Sequence, residues 1–149
     1  MTLAACGGGD PVWAPDDVVN AAVYRSTGER SLTLYTMRNV GSGNGAHSSL
    51  LVDASQRVMF DPAGSFGHAT IPERNDVLFG MNPRVEDYYV SYHARSSFFV
   101  EGQRIVISPA VAEQALRLVM SNGAVPQAAC TRVTSAILKQ LSGLEAIRL

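Results

Sequence analysis

The reactive side chains of this 149-residue chain are few: two cysteines and three histidines. Cys130 falls within Pro126-Gln127-Ala128-Ala129-Cys130-Thr131-Arg132, in the opening turn of an expected helix over about 127–141. A helix N-terminus offers unpaired N–H groups and the positive end of the dipole, and both stabilise a thiolate. A lowered thiol pKa raises the fraction of nucleophile at neutral pH. A free cysteine is equally well read as a small buried hydrophobe, and position alone does not separate the two.

A nucleophilic thiol needs a base, and the base needs a group to orient it. His47 stands where the loop Gly41-Ser42-Gly43-Asn44-Gly45 turns into a strand. His68 lies in a Gly-rich excursion, and His93 in a Tyr-rich stretch that reads as a strand, on a solvent face with Tyr89, Ser91 and Arg95. Hairpin register favours His47. If Ala54-Ser55-Gln56 is the loop, Asp53 faces Arg57, Val52 meets Val58 and Leu50 meets Phe60, giving a matched apolar face. Asp61 then sits opposite Ser49 and diagonal to His47; a slip of one residue would move it to the other face.

The elements that must carry these residues follow from pattern. Asp16 to Ala22 suits a short helix, with acidic residues at its positive end. Tyr24-Arg25 and residues 31–38, 47–53 and 57–61 read as strands, as do 84–95 and 98–107, with a turn at Glu101-Gly102. The Pro/Gly-rich residues 62–83 form a long excursion. Ser108 caps a helix whose first position is Pro109, and Asn122-Gly123 stops it. The expectation is an α+β fold, an antiparallel sheet packed against C-terminal helices. Residues 1–15 read as a tether and 16–149 as one domain.

Composition removes several function classes. Apolar residues make up 46% and charged residues 17%, which excludes a disordered chain. A net charge of -1 leaves no electrostatic footprint for nucleic acid. Two cysteines are too few for a disulfide scaffold. The loop at residues 41–45 runs into a strand rather than a helix, which removes phosphate-loop chemistry. One cysteine and three scattered histidines do not make a zinc site, and no cofactor is implied. The carboxylates Asp53, Asp61, Glu86 and Asp87 show no glycosidase pairing. Tyr88, Tyr89, Tyr92, Phe98 and Phe99 either line a groove or belong to core and sheet surface.

Two resemblances sharpen this. Leu3-Ala4-Ala5-Cys6-Gly7 resembles the lipobox of bacterial lipoproteins, without the charged and apolar regions that normally precede it. The resemblance implies lipidation at Cys6, anchoring to a membrane surface, and a place in the cell envelope facing the periplasm, more readily at the outer membrane. It would also leave Cys130 as an unpaired thiol in a secreted protein. Across about residues 45–142, His47-Ser48-Ser49-Leu50-Leu51-Val52, the acidic Asp61 and Ala129-Cys130-Thr131-Arg132 follow the order of the permuted NlpC/P60 papain-like hydrolases.

That family resemblance implies a permuted papain-like arrangement with Cys130 as nucleophile and His47 as general base. Asp61 is the implied orienting residue, His68 its substitute, and the Cys130 N–H part of an oxyanion hole. The implied activity is hydrolysis of an amide or ester in the envelope, cell-wall peptide first, through a Cys130 acyl-enzyme. A catalytically silent binding or assembly lipoprotein, or a lipid acyltransferase, would use the same fold.

Overall fold

Strand β2 (Gly45–Asp53) explains the architecture, because its residues from Ser48 to Asp53 are all buried and it therefore needs cover on both faces. It sits inside a six-stranded sheet of order β4-β5-β3-β2-β1-β6, with β1 Ser31–Asn39, β3 Arg57–Phe60, β4 Glu73–Arg74, β5 Val77–Leu78 and β6 Phe98–Val106. Every pairing is antiparallel. The computed structural model describes residues 11–146, so the Cys6 motif lies outside the described residues. Within the expected tether, Trp13 bridges Arg74 and the Ala14 N–H donates to the Glu73 carbonyl at 3.0 Å.

Alternation along β2 distributes side chains to two cores. Leu50 and Val52 join Leu32, Val58 and Phe60 beneath α3 (Pro109–Ser121) and α4 (Cys130–Leu138), which contribute Ala112, Ala115, Val119, Ile137 and Leu138. Leu51 joins Met37, Met59, Leu78 and Met81 beneath α2 (Pro83–His93), which contributes Tyr89. Val19 of α1 (Asp16–Ala22) enters the first core. Full burial of one such aliphatic side chain is worth roughly 1.5–3 kcal/mol, so both helical layers are held by the sheet between them. The expected mixed α/β class, antiparallel sheet and C-terminal helices are all present.

The β2–β3 register is Asp53↔Arg57, Val52↔Val58, Leu51↔Met59 and Leu50↔Phe60, as the hairpin pattern requires. Ser108 accepts from the Val111 N–H at 3.2 Å and starts α3 as expected.

Four expectations are corrected. Residues 84–95 do not form a strand: Asn82 accepts from the Val85 N–H at 3.0 Å, Pro83 fills the first turn, and Pro83–His93 is α2. Tyr24-Arg25 is not in a strand, and the helix expected over 127–141 is shorter, at Cys130–Leu138. No turn forms at Glu101-Gly102, because β6 runs straight from Phe98 to Val106. Gly102 answers a different demand: a Cβ there would lie 3.0 Å from the Tyr35 ring.

Candidate active site

The start of β2 and the start of α4 meet because α4 packs on β2. Ala128, in a left-handed conformation at φ 63°, bends the chain into α4 just before Cys130. Ala129 provides no side-chain cap, so the first N–H groups of α4 keep their free donor capacity beside the thiol. Cys130 is buried and not disulfide-bonded.

His47 faces it. The His47 Nε2 contacts Asp61 Oδ1 at 2.6 Å, and Asp61 is 3% exposed. With Nε2 engaged by the carboxylate, Nδ1 is the nitrogen left for the thiol. Hydrogen bonding to His47 is the largest influence on Cys130 and draws its pKa down to about 6. Burial opposes this, while the Ser48 backbone, the charge of His47 and the Thr131 hydroxyl assist it. For His47, burial acts first and downwards. The hydrogen bonds to Asp61 and Cys130, and the negative charge of both, outweigh it and push the imidazole up to about 9. Between these two values the site holds a thiolate beside an imidazolium.

Asp61 is placed by more than its neighbour. The register continued one residue past Phe60 sets it on the His47 face, and its N–H donates to the Asp76 carbonyl at 2.8 Å. The Tyr89 hydroxyl donates to the same Oδ1 at 2.7 Å from a fully buried ring. Burial, followed by the Asp61 charge, keeps that phenol protonated far above its ordinary range, so it remains a donor. Gly64 packs directly on the carboxylate, where an added Cβ would stand 2.0 Å from Oδ2.

Helix α2 also brings His93, one turn beyond Tyr89, onto the site. Its ring stacks on His47 with centroids 6.0 Å apart and planes at 15°. Its Nδ1 meets the Tyr89 carbonyl at 2.9 Å, which assigns the ring proton to Nδ1 and leaves Nε2 as an acceptor. Burial is the first of the influences that lower its pKa. His93 is therefore half-buried in the site rather than a solvent-face residue, and the reason is the strand-to-helix correction in residues 84–95. Tyr89, missed as a positioning residue, had one signal in the sequence: it precedes His93 by four, the spacing that shares a helix face.

The histidines are also less scattered than expected. His47, Asp61 and His93 place three potential ligand atoms within 4.8 Å of one another. A metal held there would have to replace the His47–Asp61 hydrogen bond. His68 is not part of the group: its Nδ1 meets Thr70 Oγ1 at 2.9 Å, and it lines a separate cavity with Arg84 and Tyr88. Tyr89 is core, whereas Tyr92 and Phe98 line a cavity beside His47.

The arrangement can generate a nucleophile, orient a base and offer backbone donors to an oxyanion, which is the equipment of acyl transfer. Among the described residues no helix is long and apolar enough to cross a membrane. The chain matches no protein-family model, no curated protein and no solved structure.

Proposed function

We propose that this protein is a cysteine hydrolase of the permuted papain-like, NlpC/P60 kind, cleaving an amide or ester through a Cys130 thioester. The observation that carries the reading is His47 with Nε2 2.6 Å from the buried Asp61 carboxylate, beside a Cys130 thiol whose acidity it raises. The thiolate adds to the substrate carbonyl, and the oxyanion that forms is placed to accept from the Cys130 N–H at the uncapped start of α4. Collapse of this intermediate breaks the bond to the leaving group, which takes the proton from His47. Water then gives a proton to His47 and adds to the thioester, and the thiolate departs as the acid product is released.

Lipidation at Cys6 and an envelope setting, resting on Leu3 to Gly7, would present this site to peptide or acyl substrates beside a membrane. An acceptor alcohol or amine in place of water would turn the same thioester into a transferase.

The test is modification of Cys130 by limiting iodoacetamide from about pH 5 to 9, with and without His47→Ala, beside mass spectrometry of the protein treated with activated esters. Labelling well below the free-thiol pKa of ~8.5, lost with His47, and an acyl adduct that turns over are expected. Slow labelling only near that value, indifferent to His47, and no adduct would show a silent binding module instead.

A further inference from the structure

Two cavities flank His47, and their charge is different. On one side, about 410 Å³ is bounded by Ser48, Thr131, Gln103 and Arg38. The Arg38 guanidinium there is already engaged, with Nε 2.6 Å from Glu101 Oε2. On the other side, about 470 Å³ is bounded by Met37, Gly64, Tyr92, His93, Arg95 and Phe98, and none of its lining residues is acidic.

Arg95 is held in place without being neutralised. Its Nε donates to the Tyr92 carbonyl at 2.9 Å, and its guanidinium carbon lies 4.8 Å over the Tyr92 ring. Among the described residues no carboxylate is within ion-pair distance of it. The terminal nitrogens keep their donors, in the fork geometry that suits a carboxylate. Beside it, His93 offers Nε2 as an acceptor and is held towards its neutral form, with burial the largest cause. The buried Asp61 is covered by His47 and Tyr89.

We propose that the cavity on the His93 side of His47 is a carboxylate-binding subsite anchored by Arg95, so that the preferred substrates carry an anionic group close to the bond being cleaved. This rests on Cys130 being the nucleophile of the site. Tyr92 fixes the height of the guanidinium, and Met37 and Phe98 give the anion's carbon skeleton an apolar wall. The opposite cavity, its arginine already paired, takes the uncharged side of the substrate.

The experiment compares two reagents that differ only in charge: N-iodoacetylglycine and its neutral amide, N-iodoacetylglycinamide. Alkylation of Cys130 is followed by mass spectrometry at about pH 7 in the wild-type chain, Arg95→Gln and Arg95→Lys. The anion-to-neutral rate ratio is expected to fall roughly 3- to 5-fold in Arg95→Gln, as one exposed ion pair can supply. Arg95→Lys should keep part of it, and added salt should shrink the wild-type ratio. An identical ratio in wild type and Arg95→Gln overturns the subsite. Slow reaction of both reagents overturns the thiolate reading instead, while the ratio still reports on Arg95.

Discussion

Asp61→Asn tests the logic of the site because it keeps the shape of the side chain and removes its charge. Asp61 supports His47 both through the hydrogen bond at 2.6 Å and through its negative charge. Without that charge, burial is the strongest remaining influence on His47, and the imidazole should be neutral at about pH 7. The thiol then loses its cationic partner and returns from about 6 towards the free-thiol value of ~8.5. At about pH 5.5 the thiolate fraction would drop from roughly one-quarter to roughly one-thousandth, about 240-fold. A thiolate of higher pKa is intrinsically more reactive, by about 13-fold for this change at a Brønsted slope of ~0.45. The net loss at about pH 5.5 is therefore roughly 20-fold, and the two rate profiles should cross between roughly pH 7 and 8.

The assay is the second-order rate of Cys130 alkylation against pH in both proteins, with circular dichroism confirming that the variant is folded. A crossing pair of profiles, the variant slower in acid and faster in base, supports the ion pair. Coincident midpoints would refute the claim that Asp61 sets the state of His47 and, through it, of the thiol.

Four further outcomes follow from the same geometry. Hydrolysis should peak between about 6 and about 9, since the thiol must lose its proton and His47 must keep one for the leaving group; the acidic and basic limbs of kcat/KM measure both. Tyr89→Phe removes the hydroxyl that donates to Asp61 at 2.7 Å, and should cost about 1.5–3 kcal/mol in chemical denaturation, the range for a hydrogen bond to a charged group. Gly64→Ala, with its Cβ 2.0 Å from Asp61 Oδ2, should displace the carboxylate and move the alkylation midpoint upward, in the direction of Asp61→Asn, while the chain stays folded. Glu73 is raised by burial first and then by the charges of Asp76 and Asp61, so its protonated form is favoured in the folded state and stability falls as pH rises through that range. Glu73→Gln should accordingly raise Tm at neutral pH, with the gain fading as the solution is acidified through the carboxylate range.

Much of the site follows from period-2 alternation. Matching Leu50 with Phe60 and Val52 with Val58 puts His47 and Asp61 on one face of the sheet, and the observed register is that one. Cys130 at a helix start was equally legible, from the stretch Pro126 to Arg132 and the apolar spacing that follows. What sequence did not reveal was α2. Tyr88, Tyr89, Val90 and Tyr92 have strand propensity, but that preference reflects fitting a half-buried surface rather than a fixed backbone bias. The stronger local instruction was Asn82-Pro83, a side-chain cap followed by a first-turn proline. A strand there puts His93 and Tyr89 on a solvent face, which conceals the Tyr89 hydroxyl as a donor to Asp61. Glu101-Gly102 misled in the opposite sense, because the glycine makes room for the Tyr35 ring rather than reversing the chain.

The sheet's cover on both faces has a consequence for when this protein becomes reactive. Cys130 arrives with the α4 layer and Tyr89 with the α2 layer, and β2 supplies the histidine between them. An unfolded or half-assembled chain has a thiol of ordinary acidity, mostly protonated near neutrality and slow towards electrophiles. The low-pKa thiolate comes into being only when two separate cores have closed on one strand. Reactivity is thus a property of the finished molecule, and the rate at which Cys130 is labelled near pH 6 doubles as a gauge of how completely both layers have docked.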